Sequence, residues 1–250
     1  MRLKSFLYLL IILTLNHFTL RAQERVTTFG VQIKPIIPSE LFNTGKQELD
    51  QNNVFFSLAP KPGVSFGMVI RKGLTKTLSI ETGINYLSRG YELTINDPDI
   101  NFSETSGFNL VNYEIPLSLL VYIKLSRYMY MNVSGGTAFD IYPSDLYTYS
   151  ENFQNDVLVY NWIRTSLIAN LGWEYRTEKS GYFYIGGSYH RPFSFIAKEI
   201  VWYNGNGRNE RPVFEIVGNY VTIDFRYFFH EDPEKKKRKI KKSKNNAKNR

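Results

Sequence analysis

Tyr113-Glu-Ile-Pro-Leu-Ser-Leu-Leu-Val-Tyr-Ile-Lys124 alternates with a period of two. Ile115, Leu117, Leu119, Val121 and Ile123 fall on one face; Glu114, Pro116, Ser118, Tyr122 and Lys124 fall on the other. Successive strand side chains point to opposite faces, so this stretch reads as a strand between two different surroundings. The same pattern recurs over 26–36, 64–72, 78–93, 128–141, 161–176, 182–195 and 213–229, which predicts eight strands. Phe29, Val31 and Ile33 oppose Gly30, Gln32 and Lys34, and Leu171 and Trp173 oppose Asn170, Gly172 and Glu174.

A soluble sandwich also alternates, but its outer face is solvated and rich in Lys, Glu and Thr. Here the polar face is built of Gly, Ser and Asn with a few charges of both signs, which suits a crowded interior. The connections alternate too. Residues 73–76, 125–127 and 177–181 are short turns, whereas 38–63, 94–112, 142–160 and 197–212 are long and read as polar loops. Short turns at one rim and long loops at the other are the pattern of an outer-membrane barrel. A tilted spanning strand needs about 9–11 residues, so eight strands fill 23–229. The expected fold is all-β: an eight-stranded antiparallel up-and-down transmembrane β-barrel, too narrow for an open aqueous channel.

Composition agrees. Aromatic residues make up 16% of the 250 residues, while hydrophobic residues overall make up 43%. Cys is absent, which excludes disulfides, thiolate zinc sites, a Cys nucleophile and a lipid anchor on Cys. Three His leave no His-rich metal site, and no cofactor is expected. The net charge of +8 belongs to the ends. The last 21 residues hold ten Lys or Arg against three acids; the first 22 hold three basic residues and no acid; the body is left near −2.

Met1-Arg-Leu-Lys4, the apolar run from Phe6 to Leu15 and Leu20-Arg-Ala22 have the layout of a secretory signal peptide, cut after Ala22. The expected organisation is signal peptide 1–22, barrel 23–229 and a disordered basic periplasmic tail 230–250. Export removes nucleic acid as a partner for that tail. The tail is then either a solubilising extension or a segment drawn to an anionic lipid or cell-wall surface, at about 1 kcal/mol per Lys near an anionic bilayer.

Lys61-Pro-Gly-Val-Ser-Phe-Gly-Met-Val-Ile70, Leu78-Ser-Ile-Glu-Thr-Gly-Ile-Asn-Tyr86, Arg89-Gly-Tyr91 and Tyr113-Glu-Ile-Pro-Leu117 together resemble the PorT-like outer-membrane β-barrel family of Bacteroidota. Phe29-Gly-Val31 and Ser134-Gly-Gly-Thr137 fit the same pattern, and the likeness covers nearly all of 25–229. The resemblance implies an OmpA-type eight-stranded barrel in the cell outer membrane. It does not carry over the type IX secretion role of the protein that gave the family its label. Gly218, Val221, Ile223, Phe225, Tyr227 and Phe229 resemble the C-terminal signal read by the barrel-assembly machinery, here followed by 21 more residues.

The inward-reading ionisable residues are Lys34, Arg71, Glu81, Arg89, Glu114, Lys124, Asp140, Glu174, Arg176, His190, Asp224 and Arg226. Screened from water, such charges must pair or cost several kcal/mol each. They are expected to form a structural ionic plug, with Glu81, Glu114, Arg71 and Arg226 holding one another. The alternative is a gated path or small ligand site. Ser188, His190 and Glu199 are the candidates for surface-enzyme machinery; a Ser-x-His pair on one strand is common by chance, and no catalytic residue is assigned. Trp162, Trp173, Trp202, Tyr86, Tyr175, Tyr189 and Tyr227 are candidates for the aromatic girdles, with loop packing as the alternative for Trp202. In the third long loop, Tyr147, Tyr149 and Phe153 are candidate partner contacts. The expected protein is a non-enzymatic outer-membrane barrel with a structural, adhesive or docking role, its neighbours being outer-membrane lipid and an envelope partner. The alternatives are an accessory part of a type IX-like secretion system and, more distantly, a lipid A-modifying enzyme.

Overall fold

The computed structural model describes residues 27–38, 45–178 and 180–229, with the backbone alone at Asn206. The stretches expected to be a signal peptide and a basic tail lie outside the described residues. Among the described residues thirteen strands follow in order: β1 (Thr27–Ile37), β2 (Gln47–Gln51), β3 (Val54–Gly73), β4 (Leu78–Asp97), β5 (Phe102–Lys124), β6 (Met129–Ile141), β7 (Leu146–Tyr149), β8 (Phe153–Val159), β9 (Ile163–Arg176), β10 (Tyr182–Pro192), β11 (Ala197–Tyr203), β12 (Val213–Ile216) and β13 (Tyr220–Phe228). The strand count therefore exceeds the expected eight. Four of the additional strands, β2, β7, β8 and β11, lie within connections that sequence patterning reads as loops. The fifth, β12, is the first part of the stretch read as one strand over 213–229.

The other eight are antiparallel neighbours in the order β1-β13-β10-β9-β6-β5-β4-β3, and β1 pairs with β3 as well as with β13. The ring of pairs thus returns to its start, which leaves no open edge among these strands. Their two faces differ in kind. Phe29, Val31, Ile33, Phe66, Met68, Leu117, Leu119, Val121, Leu171, Phe183, Ile185 and Phe225 are exposed on the outside. Gln32, Lys34, Arg71, Glu81, Asn85, Glu114, Asn132, Asp140, Glu174, His190 and Asp224 are buried inside. On β5 the outward apolar row runs from Tyr113 to Ile123, about 11 residues, the length needed to cross the hydrocarbon of a bilayer.

Three strands overshoot that belt. β3, β4 and β5 have 20, 20 and 23 residues, against 11 in β1 and 9 in β13. Their outer halves, with β2, form one wall of a head beyond the belt. A second sheet, β12-β11-β8-β7, forms the other. Between them lies an apolar core of Val54, Phe56, Leu58, Leu93, Ile95, Phe108, Leu110, Phe153, Val157, Val201, Tyr203, Phe214 and Ile216.

A bulge makes this core possible. The β3–β4 register shifts between Lys61 and Val64. Below it the even residues Phe66 and Met68 face outward; above it the even residues Val54, Phe56 and Leu58 are buried in the head. One extra residue inverts the faces of a strand. At the head's far end β2 turns into β3 through Asn52 and Asn53, both at positive φ (51° and 67°), as a two-residue hairpin requires. Arg208 ties neighbouring loops together there, donating to the Asn52 carbonyl oxygen and to the Asp99 carboxylate.

At the opposite rim the two ends of the ring meet the short turns. Thr27 is opposite Lys72, and the Phe229 amide donates to the Phe29 carbonyl oxygen.

Candidate functional site

Because β1, β3–β6, β9, β10 and β13 each turn alternate residues inward, the interior receives side chains from all eight strands. Five bases (Lys34, Arg71, Arg89, Arg176, Arg226) and five acids (Glu81, Glu114, Asp140, Glu174, Asp224) enter it beside His190. Ten of these eleven side chains meet in three tiers.

Nearest the short turns, six charges form a chain of alternating sign. Arg176 Nε donates to Glu174 (2.6 Å), which also accepts from Arg71 Nη1. Arg71 Nε donates to Glu81 Oε2 (3.0 Å), and Arg226 Nη1 donates to Glu81 Oε1 (2.6 Å). Arg226 Nη2 donates to Asp224 Oδ2 (2.6 Å). Asp224 also accepts from Ser188, Thr222 and Asn170. Members come from β9, β3, β4 and β13, so the chain spans the lumen. Aromatic faces fill the gaps: the Arg71 guanidinium lies 3.9 Å from the Phe228 ring centre, and Arg226 lies 4.7 Å from that of Tyr184. The Tyr184 ring lies over Gly172 and Gly186, where any Cβ would overlap its hydroxyl.

The middle tier centres on Glu114. Its carboxylate accepts from Asn85 Nδ2 (2.8 Å) and Tyr220 Oη (3.0 Å), and His190 Nδ1 lies 2.8 Å away. The His190 ring stacks on Tyr220 at 4.3 Å. Glu114 is therefore not a partner of Arg71 or Arg226, contrary to the sequence expectation. Alternation tells which residues face inward, whereas height along the barrel decides which of them meet.

The outer tier lies beneath the head. Arg89 donates to Asn112 Oδ1 (3.1 Å), Tyr142 Oη (2.8 Å) and the Gly218 carbonyl oxygen (3.0 Å). Asn112 Nδ2 in turn donates to Asp140, which also accepts from Ser166 (2.9 Å). Gly218 has φ +77°, and a Cβ there would press on Ile196 of the head. It is a tight joint where the chain leaves β12 for β13.

Three sequence expectations change. Lys124, read as inward, is exposed at the end of β5, where the strand leaves the barrel wall. Trp202 is not part of a girdle; it lies on the head, where its Nε1 donates to Asp156 and Arg211 stacks over its ring at 4.1 Å. Phe153 is buried in the head core, while Tyr147 and Tyr149 are exposed. Ser188 and His190 have separate partners: the Ser188 hydroxyl donates to Asp224, and His190 sits against Glu114 and Tyr220. Ile223, Phe225 and Phe229 of the last strand are exposed on the apolar belt, whereas Val221 and Tyr227 are half-buried.

Sequence reasoning assigns Glu199 only to a remote enzyme reading. On β11 it is fully buried between the head's sheets, and neither carboxylate oxygen has a hydrogen-bond partner among the described residues. Burial pushes its carboxyl up from 4.5 to about 8, and the nearby Asn155 amide offsets only part of that. Tyr203 at the head's far end is pushed up to about 12 by burial and by its bond to Asp97.

A ring of paired strands, an apolar outside and a polar, side-chain-filled inside define an outer-membrane barrel. Residues 26–197 match the family described as Outer membrane protein beta-barrel domain; the chain belongs to that family and resides in the outer membrane. It is also similar in fold to the crystal structure of the outer membrane protein OprG from Pseudomonas aeruginosa. That likeness has a TM-score of 0.54 at 14% identity and covers 83% of this chain and 98% of that one. No curated protein matches the sequence.

Proposed function

We propose that the chain crosses the outer membrane as an eight-stranded, up-and-down, non-conducting barrel and holds a folded head outside the cell. In this reading it is not an enzyme. Its role is structural or partner-docking, and within the family it stands nearest the PorT-like group. The observation that carries the reading is the lumen: three tiers of hydrogen-bonded side chains, drawn from facing strands, occupy the space an ion would need. The working surface is then the head. Its second sheet exposes Tyr147, Tyr149 and Val213 beside the Trp202–Arg211 stack, and Tyr, Trp and Arg are the residues that most often anchor protein partners. During biogenesis the partner is the barrel-assembly machinery, through the row ending at Phe229. The basic tail adds attraction to anionic lipid or cell wall in the periplasm.

Cysteine labelling tests the orientation. The thiol of an Asn152→Cys variant, in the head, should react with an impermeant reagent on intact cells. That of a Lys244→Cys variant should react only after the outer membrane is permeabilised. The reverse pattern would invert the barrel, and labelling of both on intact cells would show that no barrier separates them. Crosslinking from the Asn152→Cys thiol to neighbours then identifies the docked class: a stoichiometric secretion component would replace the structural reading with an accessory role in secretion.

A further inference from the structure

Two of the short turns are built alike. In the β3–β4 turn, the amides of Leu74 and Thr75 both donate to the Leu78 carbonyl oxygen, and the Thr75 hydroxyl accepts from the Leu78 amide (3.0 Å). In the β5–β6 turn, the amides of Leu125 and Ser126 both donate to the Met129 carbonyl oxygen, and the Ser126 hydroxyl accepts from the Met129 amide (3.2 Å). Each turn presents a leucine between two bases: Lys72 and Lys76 around Leu74, and Lys124 and Arg127 around Leu125. All six side chains are exposed, the leucines at 40% and 50%. Among the described residues of the three short turns the single acid is Glu178, in an exposed pair with Arg127 at 3.2 Å.

These turns lie where the apolar belt ends. Lys72 continues the outward row of Phe66, Met68 and Ile70, and Arg127 lies two residues before the exposed Met129. Tyr128, Tyr175, Tyr227 and Phe229 cluster along the same rim, with the Tyr227 hydroxyl donating to the Ser180 carbonyl oxygen. A base at this height keeps its stem along the acyl chains and its charge among headgroups. A leucine held between two such bases would dip into the hydrocarbon boundary. A soluble anionic polymer would match the charges and leave both leucines in water.

We propose that the two turns form a paired binding site for anionic phospholipid of the inner leaflet, with Lys72, Lys76, Lys124 and Arg127 engaging lipid phosphates and Leu74 and Leu125 seating the turns at the acyl boundary. The site rests on the orientation proposed above, but the chemistry lies in the turns rather than in the tail.

The test uses the full mature chain, delipidated in detergent and offered equal amounts of phosphatidylglycerol and phosphatidylethanolamine. Native mass spectrometry counts the lipids retained. Wild type should favour phosphatidylglycerol by roughly five-fold per base engaged, and the preference should fade at high salt. The combined change Lys72→Gln, Lys76→Gln, Lys124→Gln and Arg127→Gln should abolish it while leaving the heat-dependent gel shift of a folded barrel intact. Removing residues 230–250 alone should leave it in place. An absent preference in wild type overturns the proposal. So does one that survives the four substitutions, or one that vanishes with the tail. Sedimentation with purified cell wall that needs the same four bases, without lipid preference, assigns the turns to a polymer instead. Inverted labelling of the Asn152→Cys variant would move the site to the other leaflet without changing the lipid count, so the two failures are distinguishable.

Discussion

The lumen and the apolar core of the head each hold a carboxylate away from water, and they treat it oppositely. Glu81 in the lumen is flanked by Arg71 and Arg226 and accepts from both. Glu199 in the head lies in a core built of residues such as Val157, Val201 and Phe214, and among the described residues no base pairs with it. In low dielectric a charge persists only where partners replace the lost water; otherwise the group keeps its proton. The lumen is thus a charged solid held by its pairs. In the head's core burial pushes the Glu199 carboxyl up to about 8, while Asp97 at the far end keeps Tyr203 and Arg208 as partners.

The same exchange, Glu to Gln, should therefore have different consequences in the two places. Glu81→Gln leaves Arg71 with Glu174 and Arg226 with Asp224, but removes the link between the two arginines. Losing one partner of a buried pair costs about 3–5 kcal/mol. The remaining contacts place this loss near the lower end, measurable as a lower urea midpoint for refolded barrel in detergent. A midpoint within error of wild type would mean that the chain of charges contributes nothing to stability.

The second effect depends on pH. The folded head keeps a Glu199 proton that the unfolded chain releases above about 4.5. Stability from this group is then full below pH 4.5 and declines as pH rises towards 8, because the folded state binds the extra proton in that window. Glu199→Gln should remove that slope and slow hydrogen exchange in β8 and β11 at pH 8 relative to wild type, with little difference at pH 4. Equal slopes in the two proteins would show that Glu199 is ionised in the folded head.

The two regions also differ in how far the sequence discloses them. The barrel strands are legible because lipid outside and polar filling inside enforce period two, as along Leu117, Leu119 and Val121 against Ser118 and Tyr122. The head is not. The bulge between Lys61 and Val64 inverts the phase of β3, so Phe56 and Leu58 no longer align with Phe66 and Met68. The outer half of β5, Ser103-Glu-Thr-Ser-Gly107, has loop composition and gains its strand from pairing with β4. One local signal was present: Asn52-Asn53, flanked by Leu49 and Val54-Phe-Phe56, has the residues a two-residue hairpin needs. Within the lumen, alternation marks Arg71, Glu81, Glu114 and Arg226 as inward but carries no information on height. Glu114 meets His190, Tyr220 and Asn85 for that reason, and the burial of Glu199 was invisible because it depends on a core the sequence does not reveal.

The contrast between the two regions stands or falls with the lumen being a plug. Single-channel recording on the purified mature barrel in a planar bilayer tests it most directly, with wild type beside Glu114→Gln. A plugged lumen gives no steady conductance in either protein, since eight strands leave no room for these side chains and a water column together. A stable, ion-selective current in wild type whose selectivity changes with Glu114→Gln would contradict it, because charges that tune selectivity line a path rather than fill one.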